Sequence, residues 1–282
     1  SGAALTIATI PVTEREAPEF GILKSNQSQV ITSFIEKPKK EILSEWVSDT
    51  GALMQSQGRN YLASMGIYVF NKEILYEFLN EVHPNATDFG KEIIPDSISN
   101  YKVLSYQHEG YWTDIGNIYS FFEANISLTD EMPQFNLFDS TQTVYTRSRM
   151  LPPAKISGTQ IQNAIVAEGS IIHASSITKS VIGIRSRIGK DTVIKNAYIM
   201  GCDFYETITQ INQKIDKGQP VLGIGERCVI EDAIVDKNCS IGNDVQIKGG
   251  PHLEKIDHPL YTVKDGIVVI KKGAVIPNGF VI

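Results

Sequence analysis

The sequence contains no uninterrupted apolar run near the roughly 18–20 residues that span a bilayer, so a membrane-embedded helix is not expected. Residues 3–12 are apolar but lack a basic leader and a clear cleavage site, and so do not read as a signal peptide. Cysteine is scarce. Cys202, Cys228 and Cys239 form no CxxC pair, and five scattered histidines do not complete a zinc set. Reduced thiols packed in a cytoplasmic protein are the expectation. Positive charge is not in excess either: 26 Lys and Arg against 32 Asp and Glu give −6. That balance argues against a broad surface for nucleic acid and leaves room for a local basic pocket.

What is present is an ordinary globular composition, 42% hydrophobic and 21% charged over 282 residues, enough for about two domains. Two different periods divide the chain. Through residue 130, strand-like stretches (Ala4 to Val12, Gln29 to Ile35, Tyr61 to Phe70) alternate with helical ones. Ile74, Leu75, Phe78, Leu79 and Val82 predict one helix face, and Ile115, Tyr119, Phe122 and Ile126 another. This alternation predicts an α/β layer domain. Residues 131–150, with Pro133 and little periodicity, read as a linker.

Over 151–282 aliphatic residues recur every six positions. Four triplets carry the pattern: Ile165, Ile171, Ile177; Ile182, Ile188, Ile194; Val235, Ile241, Ile247; and Ile270, Ile276, Ile282. Neither a helix nor an alternating strand has that period. A parallel β-helix does, because each hexad forms one flat side with its aliphatic residue turned inward. Residues 203–222 and 251–265 interrupt the hexads and read as excursions from the coil.

Several polar residues sit where chemistry could be done. Glu36-Lys37-Pro38 closes a strand; a lysine ammonium suits a sugar phosphate, and the neighbouring carboxylate can accept from sugar hydroxyls. Taken alone, such a pair after a strand is more often a solvated surface pair. Gly21 could let a ligand approach the backbone or simply serve a turn, and Ser64 could be a hydroxyl satisfied by its own strand. Asp114, between Tyr111-Trp112 and a helical pattern, could cap that helix. Tyr111 and Trp112 could wall a sugar site or pack in a core.

A set of ordered stretches adds to this reading: FGILK at 20–24, FIEKP at 34–38, SMGIYVF at 64–70, DFGKEIIP at 88–95 and YWTDIG at 111–116. SFFEAN at 120–125, LPPAKI at 151–156, SVIGIRSRI at 180–188, MGCDFYET at 200–207, GIGERCVIEDAIVDKNCSIG at 223–242 and GIVVIKKGAVIP at 266–277 follow. In order and spacing the chain resembles glucose-1-phosphate adenylyltransferase, the ADP-glucose pyrophosphorylase family, in its plant and cyanobacterial branch. The resemblance implies the C-terminal portion of a Rossmann-like nucleotidyltransferase domain (1–130), a linker (131–150) and a left-handed parallel β-helix of hexapeptide repeats (151–282). It implies that Gly21, Glu36, Lys37 and Ser64 bind glucose 1-phosphate and that Asp114 helps hold Mg²⁺. It also implies an anionic effector at Lys272 or the adjacent Lys271, and a homotetramer. Arg185 and Arg187 could be further anion partners, since guanidinium groups suit phosphate and carboxylate, or simply exposed charges at corners of the coil. The family's Gly-rich triphosphate loop and the catalytic aspartate before it have no counterpart here, so the chain is expected to begin partway through the first domain.

The implied reaction is adenylyl transfer from ATP to glucose 1-phosphate, giving ADP-glucose and pyrophosphate for glycogen or starch synthesis. A non-catalytic regulatory or scaffolding subunit is the alternative. A coenzyme A-dependent acyltransferase of the hexapeptide type ranks last, because His173 stands in the first repeats with nothing to frame it as a base.

Overall fold

A computed structural model describes residues 2–282. The chain forms two compact units that divide between Trp112 and Thr113. In the first, β1 (Leu5–Val12), β2 (Gly21–Ser25), β3 (Ile31–Glu36), β4 (Tyr61–Phe70) and β5 (Val103–Gln107) form one sheet in the order β3-β2-β4-β1-β5. β5 runs parallel to β1, and the other neighbours pair antiparallel. β4, the longest strand, is aliphatic and aromatic as the sequence predicts. One apolar cluster gathers Leu5, Ile7, Leu23, Ile31, Ile94 and Val103; a second gathers Ile10, Val12, Ile22, Leu43, Tyr61 and Ala63.

Helices α1 (Ala52–Ser56), α2 (Lys72–Glu77) and α3 (Ile94–Asn100) connect the strands. Asn71 caps α2 by accepting from the Glu73 N–H at 3.0 Å. From Phe78 the helix widens, and the His83 N–H donates to the Phe78 carbonyl five residues back. The wider turn rotates the expected stripe: Phe78 is buried, but Leu79 and Val82 face solvent.

The second unit opens with α4 (Ile118–Ile126). Asn117 is its cap, accepting from the Ser120 N–H at 2.8 Å. Phe122 and Ile126 pack against Ile234 and Ile267 of the repeat region, so α4 belongs to this unit although the sequence pattern groups it with the preceding residues. Of the expected face, Ile115 precedes the helix and is exposed, and Tyr119 in the first turn of α4 is exposed as well.

The repeats form a parallel β-helix. Two-residue strands β6 (Lys155–Ile156), β8 (Ile171–Ile172), β10 (Arg187–Ile188), β12 (Gly223–Ile224), β14 (Ser240–Ile241) and β19 (Val275–Ile276) stack in register on one side. Seven-residue strands β7 (Gln160–Val166), β9 (Ser176–Ile182), β11 (Val193–Ile199) and β13 (Val229–Val235) stack beside them. Each long strand bends at its fourth residue, where Asn163, Lys179, Asn196 and Asp232 have φ of 48, 45, 46 and 49°. That left-handed corner turns one strand into two sides of the coil. Ile177, Ile194, Ile230 and Ile247 fill one interior column and Ile182, Ile199, Val235 and Ile270 another.

The hexad expectation holds from Ile177 onward. Its first triplet is one residue out of register: Ile172, not Ile171, is fully buried, and Ile165 aligns with Val181 and Tyr198 in an outward column. Both expected excursions contain structure of their own. Residues 203–222 carry α5 (Ile208–Asp216), started by a Thr207–Gln210 capping box. After β15 (Gln246–Lys248), the second excursion holds β16 (Ile256–Asp257) and β17 (Tyr261–Lys264), which pair antiparallel; β17 pairs with β18 (Ile267–Ile270).

Candidate sugar-phosphate site

Glu36 ends β3 directly opposite Gly21, the first residue of β2. Side chains two apart on a strand share a face, so Phe34 and Glu36 both lean toward Gly21. A Cβ there would lie 2.5 Å from Phe34 Cζ and 2.8 Å from Glu36 Oε2. Gly90 flanks the carboxylate as well, since a Cβ at that position would stand 3.0 Å from Oε2. Glu36 is half-buried, and among the described residues its carboxylate has no hydrogen-bond or ion-pair partner. Two glycines therefore keep open the space around an unpaired acceptor.

Lys37 follows with φ of 48°, its N–H donating to the Phe20 carbonyl at 3.0 Å. Its side chain is exposed and without a partner, while Pro38 beyond it is buried. The residue before a proline favours extended backbone, so this left-handed conformation is strained, and the Phe20 bond is one contact that holds it.

Ser64 and Tyr68 meet across an irregularity in β4. The β1–β4 register shifts between Ile7 and Thr9, opposite Gly66, whose φ is 70°. The two extra residues of β4 bring Ser64 Oγ to 3.5 Å from the Tyr68 hydroxyl, and the Gly66 N–H donates to Ser64 Oγ at 3.2 Å. Burial pushes the Tyr68 phenol above its ordinary pKa, and the nearby negative charges of Glu36 and Asp88 add to the rise. The Tyr68 ring stacks on Phe89, centroids 6.0 Å apart.

Asp88 starts the turn that carries Gly90. Its Oδ1 accepts from the Gly90 N–H at 2.8 Å and the Lys91 N–H at 3.1 Å. The Lys91 backbone bond chiefly holds its carboxyl below the usual range. Glu92, accepting from the Thr87 and Asp88 N–H groups, is lowered for the same reason.

The first unit holds Gly21, Glu36, Lys37 and Ser64, the four residues expected at the sugar phosphate: Gly21 faces Glu36, Lys37 follows it in sequence, and Ser64 meets Tyr68, whose phenol feels the Glu36 charge. It adds Tyr68, Asp88, Phe89 and Gly90, which sequence reasoning did not single out. Their signals were present: Gly66 between Ser64 and Tyr68 marks a bulge, and Asp88 followed by Gly90 marks a capped turn.

The remaining expected residues lie elsewhere. Trp112 packs in the core cluster beside Phe20, ring centroids 5.9 Å apart, and Tyr111 is exposed. Asp114 is exposed in the second unit and does not cap α4. Its Oδ2 accepts from the Gly116 N–H at 3.2 Å, and no other partner engages the carboxylate. Among the described residues no three His, Cys, Asp or Glu side chains gather as a metal cage. Mg²⁺ commonly takes only one or two carboxylates plus phosphate oxygens, and one exposed aspartate with a free oxygen suits that role.

Arg185, at a left-handed corner, lays its guanidinium 5.7 Å from the centre of the Tyr205 ring, with no ion-pair partner. Arg187 is exposed on β10. Lys271 is engaged by Asp257 at 2.7 Å; Lys272 is exposed, makes no ion pair among the described residues, and lies near enough to Asp203 for its charge to help lower that carboxyl.

Two family comparisons bear on the chain. Residues 1–131 match the nucleotidyl transferase family, and residues 149–281 match the GLGC left-handed parallel beta-helix domain. The protein therefore carries a nucleotidyltransferase domain followed by a left-handed β-helix, and its domains are those of a nucleotidyl-transferring protein of sugar-nucleotide synthesis. No helix among the described residues is long and apolar enough to cross a membrane.

Proposed function

We propose that the protein acts in adenylyl transfer from ATP to glucose 1-phosphate, forming ADP-glucose for glycogen or starch synthesis. The observation that carries this reading is the unpaired Glu36 carboxylate held between Gly21 and Gly90, with the free Lys37 ammonium next in sequence. A half-buried carboxylate without a donor is costly unless a ligand supplies one. Sugar hydroxyls are suitable donors, and the phosphate of the same molecule suits Lys37. Ser64 and Tyr68 offer further hydroxyls beside the carboxylate, and the stacked Tyr68–Phe89 rings give the sugar an apolar surface.

In the reaction a phosphate oxygen of glucose 1-phosphate attacks the α-phosphorus of ATP. The bond from that phosphorus to the β-phosphate's bridging oxygen breaks, and pyrophosphate leaves. Lys37 neutralises the attacking phosphate and fixes its position, while Glu36 orients the sugar; such chemistry depends on positioning and charge. Asp114 would hold Mg²⁺, which when bound screens the charge of the phosphates. We assign Lys272, with Arg185 and Arg187, to an anionic effector; Lys271 is a weaker candidate because Asp257 already engages it. A cytoplasmic homotetramer completes the proposal.

Lys37→Ala tests it. Loss of a charge-assisted contact of about 1.5–3 kcal/mol should raise the KM for glucose 1-phosphate roughly 10–150-fold and leave that for ATP near its original value. Equal effects on both substrates would sink the assignment.

A further inference from the structure

Residues 143–150, Thr-Val-Tyr-Thr-Arg-Ser-Arg-Met, belong to no helix or strand and are exposed throughout, Val144 at 50%. Among the described residues their backbone N–H and C=O groups make no hydrogen bond. Tyr145 and Met150 are 95% and 94% exposed, the most exposed large apolar side chains of the protein. Five residues further on the β-helix begins with an open edge. β7 pairs only with β9, and its interior residue Ile161 is 40% exposed, as is Ile156 of β6 at 43%. An unpaired edge over exposed interior isoleucines is a template for another strand.

The sequence of 144–150 matches that template. β7 lies one coil of sixteen residues before β9, Ile161 pairing with Ile177, Ala164 with Ser180 and Val166 with Ile182. One more step of sixteen places Tyr145 over Ile161, Ser148 over Ala164 and Met150 over Val166. All three interior positions then carry what their columns require. The outer two columns are large and apolar; the middle one is small, with Ser180, Ala197 and Ala233 fully buried. Arg147 falls at the polar corner of Asn163, Lys179 and Asn196.

The segment cannot reach this position on its own chain. Each coil turns after its long strand at a left-handed residue: Gly169, Arg185 and Asn238, with φ of 73, 55 and 62°, nine residues after the strand begins, and Gly201, with φ of 80°, eight residues after β11 begins. Counted from Val144 those positions are Pro153 and Pro152, whose rings hold φ at about −65°. Pro152 is anchored beneath the corner by the Gly169 N–H at 2.7 Å, and the chain turns away at Met150, φ 49°.

We propose that residues 144–150 add as a parallel strand to the open edge of β7 in a second copy of this chain, and that two copies exchange these strands reciprocally. The surface is independent of the catalytic reading.

Tyr145→Cys and Ile161→Cys are made in separate chains and mixed under mild oxidation. Neighbouring parallel strands are about 4.8 Å apart, within the Cα span of a disulfide, and Cys202, Cys228 and Cys239 are buried. A covalent dimer in the mixture, absent from either variant alone, is the expected result on non-reducing gels. The exposed pair Thr146→Cys and Gln162→Cys repeats the test without touching the interior. No covalent dimer with either pair, or an intramolecular disulfide alone when both cysteines share a chain, overturns the proposal. Pro153→Gly supplies the missing corner and should raise the dimer dissociation constant at least tenfold by letting the strand close on its own coil; an unchanged constant would count against it.

Discussion

Gly21→Ala separates packing from binding at the proposed site. An added Cβ would stand 2.5 Å from Phe34 Cζ and 2.8 Å from Glu36 Oε2, against about 3.4 Å for ordinary contact. Phe34 packs against the cluster of Leu5, Leu23 and Val103, so its ring has little freedom to retreat by nearly an ångström. Overpacking of this kind costs about 1–3 kcal/mol, which for a domain of this size lowers Tm by roughly 5–20 °C. Moving the Glu36 carboxylate also forfeits a charged hydrogen bond to the sugar, about 1.5–3 kcal/mol, so the Kd for glucose 1-phosphate should rise roughly 10–150-fold. Gly90→Ala is the comparison, because its Cβ would meet only Oε2, at 3.0 Å, and a few tenths of an ångström relieve it. That variant should weaken binding with little loss of Tm. The assays are a thermal melt by circular dichroism and a calorimetric titration with glucose 1-phosphate. If Gly21→Ala melts as the original protein does, the packing argument is wrong. If it melts lower but binds glucose 1-phosphate unchanged, Glu36 is not a sugar ligand.

Burial raises the Cys202, Cys228 and Cys239 thiols above their ordinary pKa, the last to about 11. None should react with a thiol reagent at pH 8 until the protein is unfolded, and stability should fall as pH climbs from about 9 toward 11, where the unfolded thiols ionise first; rapid labelling of folded protein would refute this. Lys272→Ala should raise the concentration of a phosphorylated effector needed for half-activation at least tenfold, and an unchanged activation curve would remove Lys272 from the regulatory site.

The β-helix was legible because its period is imposed residue by residue: each coil needs an aliphatic side chain inward at every side, and only the first triplet slips, where Ile171 and Ile172 are both present to choose from. Three of the five strands of the first unit (β1, β3 and β4) were legible for a similar reason, β4 most clearly; the five-residue β2 and β5 were too short to show a pattern. Helix detail was not legible, because a single widened turn at Phe78 rotates Leu79 and Val82 outward without altering the spacing in sequence. At the site, residue type alone left Gly21, Glu36 and Lys37 open to turn and surface roles, and only the resemblance singled them out. Tyr68 and Asp88 were not singled out at all, since a tyrosine in a strand and an aspartate at a turn are ordinary until the bulge at Gly66 and the turn to Gly90 bring them to one carboxylate.

Backbone conformation separates the two places where this chain departs from structural necessity. Thirteen non-glycine residues have positive φ. In the β-helix they recur once per corner, as at Asn163, Lys179 and Asn196, so the coil explains them; Gln29 and Asp265 sit in tight connections between strands. Lys37 and Met150 remain, with φ of 48 and 49° and neither a corner nor a hairpin to require it. Such a conformation costs about 1–3 kcal/mol and persists only where surrounding bonds impose it. At Lys37 the Phe20 carbonyl and the buried Pro38 do so, and the result is an exposed lysine side chain next in sequence to an unpaired carboxylate. At Met150 the anchored Pro152 does so, and the result is a strand led away from the one edge it matches. In both cases a strained residue turns a side chain or a strand away from its own fold, which is what the proposed sugar-phosphate contact and the proposed strand exchange would each use.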